Sequence, residues 1–450
     1  MRNAIGDGAA VAASRSDRWK ALPFLVLMFT SSLPLNYRLE ESHPMLVSDV
    51  ADLTREAAAG ENTGSSLLFV AFVVALYAMS GMMVLHKPRV AGAVLRRQWP
   101  LVLLTLLVAA SALWSHNPEK VLMNVVHGLG AICITMAAAL HYRHDPWAIA
   151  RDLALVLGVN MLLHVGAVLA IPSYSIDWQG RWQGLATHPN TLGALGFTTL
   201  WANSAVLICR PRERRAMHAV FALAAIAAIA GADSVTSMLT AGSSVVALWS
   251  VHKLGRLGAG RDFYVGTVLL ALLLVVGFKL VSSQIDLGWL FQSFGRDSNF
   301  TGRTDVWSDA LGAISRFPIL GWSFDDHAFL IASEGLAYPS YHNGWLDLCV
   351  NGGLVAVLLL AGLFATWLRQ FSVRDVLAQT IAPLSASFVL GYFLHNLTEA
   401  SFLSPRAQMW QIFLAVLFLG SCRRPAPTVL QAQPQPPGTL PFDKSLGARP

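Results

Sequence analysis

Residues 344–368 read GWLDLCVNGGLVAVLLLAGLFATWL. One acidic side chain, Asp347, interrupts an otherwise uncharged run. A helix needs about 20 predominantly apolar residues to cross ~30 Å of hydrocarbon. Lipid offers no partner for a loose backbone N–H or C=O, so a run of this kind folds as a helix that bonds its own main chain. Outward from it the pattern recurs. Twelve segments meet the test approximately: 21–36, 64–85, 100–115, 121–142, 153–171, 191–209, 216–232, 237–252, 263–281, 344–368, 376–397 and 407–421. The first is short and follows a basic stretch, as a signal peptide would. No small-residue cleavage site follows it, since the chain continues Pro34-Leu35-Asn36-Tyr37-Arg38, so it is read as a retained span.

Composition agrees. The 450 residues are 54% hydrophobic and 13% charged, with a mean hydropathy of +0.52. Soluble proteins carry roughly a quarter charged residues. A chain this long with half that fraction cannot clothe a soluble surface, and it is too apolar for general disorder. The expectation is an all-α polytopic membrane protein with about 12 transmembrane helices. The cysteines Cys133, Cys209, Cys349 and Cys422 lie in or beside apolar runs. They read as small hydrophobes, not as a disulfide or metal framework.

Charge distribution orients the spans. With the N-terminus inside, the inner segments are 1–20, 86–99, 143–152, 210–215, 251–262, 369–375 and 422–450. They hold 23 of the 32 Lys and Arg residues. That excess marks the cytoplasmic side, and the basic surplus implies orientation, with no nucleic-acid partner. The organisation is then a cytoplasmic N-terminus (1–20), nine helices (21–281), a long outer loop (282–343), three helices (344–421) and a Pro- and Gln-rich cytoplasmic tail (422–450) expected to be disordered.

The few basic residues left outside sit in polar, aromatic settings. Arg181 lies in Gly180-Arg181-Trp182-Gln183-Gly184, shortly before His188-Pro189-Asn190. Arg296 and Arg303 lie in Gly295-Arg296-Asp297 and Thr301-Gly302-Arg303-Thr304-Asp305-Val306-Trp307. Tyr341-His342-Asn343-Gly344-Trp345 stands at the mouth of the tenth span. Residues 304–317 read as a short amphipathic helix with Val306, Trp307, Ala310, Leu311, Ile314 and Phe317 on one face, capped by Thr304 or Asp305. Arg303 then sits at a helix N-terminus, which favours an anion, and its fork suits phosphate. Snorkelling to lipid phosphates is the alternative for each arginine.

Other readings stay open on residues alone. The aromatics of 282–343 form either an interfacial layer or partly a sugar-stacking surface. His342 is either a satisfied polar residue or a base for a hydroxyl proton. Asp325-Asp326-His327 could hold a metal, but Asp325 equally suits the cap of a short helix 326–334. Ser234, Thr236, Ser237 and Thr240 read mainly as interhelical hydrogen-bonding residues. Glu399, at the outer end of the eleventh span, is a candidate to orient an arginine or a sugar hydroxyl.

Together these motifs resemble the O-antigen ligase and polymerase superfamily. The resemblance rests on Gly295–Asp297, Thr301–Trp307, Phe317-Pro318-Ile319-Leu320-Gly321-Trp322, His342-Asn343 and Gly352-Gly353, in that order. Arg181…Gly184…Pro189-Asn190 and Thr398-Glu399 complete it, over roughly 175–405. The chain departs from the family at Ser234-Val235-Thr236-Ser237, where Ser followed by Arg or Lys is common, so no anion-binding role is implied for that turn.

The resemblance implies a GT-C-like inner-membrane glycosyltransferase of Gram-negative bacteria with a periplasmic active site. It would act as an O-antigen ligase, moving polysaccharide from undecaprenyl diphosphate to the lipid A–core among the membrane lipids. By resemblance His342 is the general base, and Arg181, Arg303 and Arg296 hold the diphosphate. Asn190, Asn343, Trp307, Tyr341 and Glu399 support them. Arginines in place of a metal fit a sequence with no convincing outer metal cluster, so no metal or cofactor is expected. Attack by the acceptor itself implies inversion. The rivals are an O-antigen polymerase, a protein O-oligosaccharyltransferase and, in another class, a transporter or flippase of lipid-linked sugars. The chemistry-bearing charges cluster at the outer face and not mid-membrane, which disfavours transport.

Overall fold

A computed structural model describes residues 18–31, 33, 67–210, 214–256, 303–325, 340–370 and 376–422. Its helices are α1 (Leu22–Thr30), α2 (Leu67–Leu85), α3 (Pro88–Arg97), α4 (Trp99–Ala110), α5 (Pro118–Tyr142), α6 (Pro146–Ala170), α7 (Pro189–Cys209), α8 (Arg215–Gly231), α9 (Val235–Arg256), α10 (Arg303–Arg316), α11 (Gly344–Gln370), α12 (Val376–His395) and α13 (Gln408–Ser421). Among the described residues there is no strand, only an isolated bridge between Ile176 and Trp182. The all-α expectation holds for them.

Local chemistry sets the boundaries. Proline stands in the first two positions of α3, α4, α5, α6 and α7. Its missing N–H costs nothing there, and its φ already suits a helix. The Asn117 side chain accepts from Lys120 N at 3.2 Å and caps α5. His188 caps α7, its Nδ1 accepting from Asn190 N at 3.1 Å.

Four helices, α5, α6, α7 and α11, are long and apolar enough to cross a membrane. Val70–Leu85 with Pro88–Arg97, bent by 99°, makes a fifth if the pair is one broken span. The protein is a multi-pass membrane protein. Each expected span on described residues coincides with a helix, but α1, α4, α8 and α13 are shorter than a full crossing, and 263–281 lies outside the described residues. The tail from 423 and most of the long loop lie outside them too. The four cysteines are free and half-buried.

Of the four helices long enough to cross, α7 is packed most deeply. It is enclosed by α6, α8 and α9, and α9 in turn packs on α12. On the other side α5 packs against α2 and α13, while α4 packs on α11. One end of this bundle is basic and tied together. Arg97 Nη1 donates to Ser421 O at 2.6 Å, satisfying a carbonyl at the C-terminus of α13 where a cation is favoured. Gln98 Nε2 donates to Ser421 Oγ at 2.7 Å, and Gln370 Nε2 donates to Leu417 O at 3.0 Å. The starts of α5, α7, α11 and α13 therefore lie at the opposite end, and the candidate residues lie with them.

The amphipathic segment is observed one residue earlier than expected, as α10. Arg303 is its first residue, so Thr304 and Asp305 fall inside the first turn, not at a cap. Val306, Ala310 and Ala313 are buried with Tyr341 and Val350. Leu311 is 61% exposed and Phe317 is 50% exposed, contrary to the expected apolar face. Phe317 follows the helix and packs edge-on against Trp322.

What docks α10 is a break in α11. Gly353 has φ 60° and ψ −162° inside the helix. The break frees Leu354 N and Val355 N, which donate to Pro318 O at 2.8 Å and Ile319 O at 3.2 Å. Trp322 N donates to Val350 O at 2.8 Å. The Phe317–Trp322 motif is thus the partner of the Gly352-Gly353 motif. A Cβ on Gly353 would lie 2.3 Å from Ile319 O, in a backbone conformation that L side chains rarely adopt.

Gly353→Ala is expected to lower thermal stability in detergent by at least ~1 kcal/mol from backbone strain alone, with loss of the α10 dock. Gly128→Ala, where a Cβ meets nothing within 4 Å, should be neutral. Equal unfolding temperatures for the two variants would contradict this account.

Candidate active site

Two turns meet at the end of the bundle opposite the basic one. The first, 340–343, carries His342 and leads into α11. His342 has φ 49°, a left-handed conformation that a non-glycine residue holds only when its surroundings impose it. The constraints are visible. Asp347 accepts from Tyr341 N at 2.8 Å and from Ser340 Oγ at 2.9 Å. His342 N donates to Ser340 Oγ at 3.1 Å. Trp307 Nε1, on α10, donates to Tyr341 O at 3.1 Å. Asn343 Oδ1 caps α11, accepting from Trp345 N at 3.0 Å and Leu346 N at 3.3 Å.

The second turn, 396–401, follows α12. Asn396, fully buried, accepts on Oδ1 from Ser401 N at 2.9 Å and Phe402 N at 3.0 Å. Gly344 N joins the turns, donating to Asn396 O at 2.9 Å and Glu399 O at 3.0 Å. Asn343 Nδ2 adds a bond to Leu397 O at 3.2 Å. The Thr236 and Thr398 hydroxyls bond at 2.7 Å, tying the turn to α9, whereas Ser234, Ser237 and Thr240 bond within the start of α9.

The result is a chain of three side chains. Asn190 Nδ2, in the first turn of α7, donates to Glu399 Oε1 at 2.8 Å. Glu399 Oε2 lies 3.6 Å from His342 Nδ1. The His342 side chain is 48% exposed and that of Glu399 only 14%. A half-open imidazole backed by a mostly covered, hydrogen-bonded carboxylate is the arrangement that orients a base. Glu399, a candidate to orient an arginine or a sugar hydroxyl, here bonds Asn190 and faces His342.

Arg181 sits in a turn closed by Asp177. Asp177 Oδ1 accepts from Arg181 N at 2.8 Å, and Oδ2 accepts from Arg181 Nε at 2.9 Å. Arg181 Nη2 is also 2.9 Å from Asp177 Oδ2. The arginine is therefore held in place, with further N–H donors beyond the two that face Asp177. It neighbours His188, whose pKa is held below the usual imidazole value by partial burial first and then by Arg181, with His342 adding to that and Glu399 and Asp177 opposing it. Those influences place Arg181, His188, Glu399 and His342 in one electrostatic neighbourhood.

Of the remaining candidates, Arg303 opens α10, and Arg296 lies outside the described residues. Tyr341 is 1% exposed, so it is a core residue and not a stacking platform. Burial, then Asp347 and Asp309, push its hydroxyl up to about 12. Trp307 positions the Tyr341 carbonyl. Asp325 is buried and accepts from Ser115 Oγ at 3.0 Å, while Asp326, His327 and the expected helix 326–334 lie outside the described residues.

A cavity of about 210 Å³ opens beside the chain, lined by Asn190, Glu399, His395, Gln408 and Arg406 among others. Arg406 was missed. A signal existed, because Arg406 and Lys120 belong to the same small set of outer basic residues that singled out Arg181, Arg296 and Arg303.

Residues 204–361 match the family model described as O-antigen ligase. A curated O-antigen ligase of Pseudomonas aeruginosa is 30% identical over 131 residues, 27% of this chain and 33% of that protein. The chain thus matches about a third of the length of that relative. The matched segment contains the whole α10–α11 dock and His342, whereas Arg181, Asn190 and Glu399 lie outside it.

His188 caps α7 only while Nδ1 is unprotonated. A histidine whose folded pKa lies below its unfolded value, here 6.5, takes up its proton more readily when unfolded. Its contribution to stability is therefore complete above about pH 6.5 and lost as pH falls below it. Thermal unfolding from pH 8 to 5 should decline over that window in the wild type and less in His188→Asn, which keeps an acceptor that does not titrate. Identical profiles would show that His188 does not govern it.

Proposed function

We propose that the chain is an O-antigen ligase, a metal-independent, inverting glycosyltransferase. It moves O-antigen polysaccharide from undecaprenyl diphosphate onto the lipid A–core at the periplasmic face of the Gram-negative inner membrane. The observation that carries this reading is the Asn190–Glu399–His342 chain, assembled from three separated segments beside Arg181.

Chemistry follows from the parts. Glu399, held by Asn190, keeps the proton of neutral His342 on Nδ1 and leaves the Nε2 lone pair for the acceptor hydroxyl. As that proton passes to Nε2, the acceptor oxygen attacks the anomeric carbon of the donor. The bond from that carbon to the diphosphate oxygen breaks, and the diphosphate leaves with the electron pair. One displacement inverts the centre. Arg181, Arg303 and Arg296 stabilise the charge that develops on the leaving group, a task for which fixed guanidinium groups need no reorganisation. Arg181 would share its fork between Asp177 and the diphosphate.

His342→Ala should abolish transfer to purified lipid A–core while undecaprenyl diphosphate binding persists, because the base acts only in the chemical step. Glu399→Gln should lower kcat by about 10²- to 10⁴-fold with little change in KM. Near wild-type transfer by His342→Ala ends the assignment. Longer lipid-linked chains without modified lipid A–core would identify a polymerase instead.

Transfer should also continue in EDTA at the rate seen without it. Loss of activity that returns only with added divalent metal would contradict arginine-based stabilisation.

A further inference from the structure

A second cavity, about 320 Å³, lies along the 402–406 segment. Arg406 lines both cavities. Its guanidinium is oriented from behind, with Nη2 2.7 Å from His127 Nε2. Arginine has no acceptor, so Nε2 accepts and the His127 hydrogen lies on Nδ1. That Nδ1–H donates to Tyr77 Oη at 2.9 Å. A tyrosine–histidine relay thus fixes the arginine at the wall of the cavity.

Lys120 also lines this cavity, one residue triplet into α5 and two turns before His127 on the same face. Leu101, Val108, Leu403 and Trp410 supply apolar wall. Asn351 Oδ1, buried with no hydrogen-bond partner among the described residues, belongs to the lining as an acceptor for a ligand hydroxyl. Ser340 and Asp347, which hold the His342 turn, close the cavity toward the proposed base.

We infer that Arg406 and Lys120 seat the phosphate of a second membrane amphiphile, a phosphorylated glycolipid that presents its hydroxyl to His342. Cations, a hydroxyl acceptor and apolar wall match the phosphate, sugar and acyl parts of such a molecule. The assignment of this amphiphile as the acceptor rests on the transferase reading above. The donor diphosphate is left to Arg181, which lines neither cavity.

The full chain in lipid nanodiscs is titrated with bis-phosphorylated lipid A, dephosphorylated lipid A, undecaprenyl diphosphate and phosphatidylglycerol. The wild type should prefer bis-phosphorylated over dephosphorylated lipid A by about tenfold, ~1.4 kcal/mol. Arg406→Gln and Lys120→Gln, on different elements, should each reduce that preference to about twofold or less while undecaprenyl diphosphate binding is unchanged. A preference retained in both folded variants overturns the seat. An equal loss for undecaprenyl diphosphate moves these residues to the donor site, and an equal loss for phosphatidylglycerol makes them a bulk headgroup contact; each overturns the inference. Phosphate-dependent lipid A binding without any transfer would overturn the transferase reading and leave the seat standing.

Discussion

The backbone N–H of Gly344 holds the candidate site together. It donates to the carbonyls of Asn396 and Glu399, so two turns from different helices share one donor. A side chain at this position would put its Cβ 2.2 Å from Asn396 Oδ1, so only glycine allows the approach. The neighbouring groups depend on that contact. Asn396 spends both ends of its amide inside the 392–402 region, which fixes the carbonyl that Gly344 meets. His342, two residues before Gly344, is thereby carried to Glu399. Glu399 in turn reaches Asn190 at the start of α7. A loss of a few tenths of an ångström here would open a His–Glu separation that is already 3.6 Å.

The rest of the fold supplies rigidity to that point. The α10–α11 dock fixes the His342 turn from outside, through the Trp307 bond to the Tyr341 carbonyl. The break at Gly353 serves this purpose: a continuous α11 would offer Pro318 and Ile319 no free N–H. Interruption of a helix by glycine is tolerable where another segment re-satisfies the freed groups, and the Phe317–Trp322 segment does so. The left-handed His342 is then a strain of a kind that a firmly braced turn can store, and strain of this sort concentrates where side chains must be aimed.

Much of the helix layout was legible in sequence because hydropathy reports solvent directly. Apolar runs mark helices, and proline at their first positions marks their starts. Span count was less legible. Helices such as α1 and α13 are apolar yet too short to cross alone, so composition does not fix their depth. The cap of α10 was misplaced: Thr304 and Asp305 have local capping signals, yet both lie inside the helix. Leu311 followed the helical period but lies where no partner covers it. Tyr341 looked like a ligand-facing aromatic only because its motif neighbours are polar; burial against α10 depends on a contact 34 residues away. The partnership of Glu399 with His342 had no sequence signature at all, since its distance is set by how α11 and α12 end.

Scarcity of charge gives the remaining argument its force. At the end of the bundle that holds His342, a cation must either face lipid phosphates or be fixed by protein. Arg181 is fixed by Asp177, and Arg406 by the His127–Tyr77 relay. These are different devices with different consequences. An aspartate neutralises the arginine it holds, so Arg181 rests as a pair and exchanges part of that pairing when an anion arrives. A neutral histidine aims Arg406 without cancelling its charge, so the full positive field stays directed at the two cavities it borders. On the proposed reading, a site that must release a product diphosphate gains from the first arrangement, because Asp177 would compete for the fork once chemistry is done. A site that only retains a substrate by its phosphate gains from the second, where the histidine that holds the arginine leaves its charge intact.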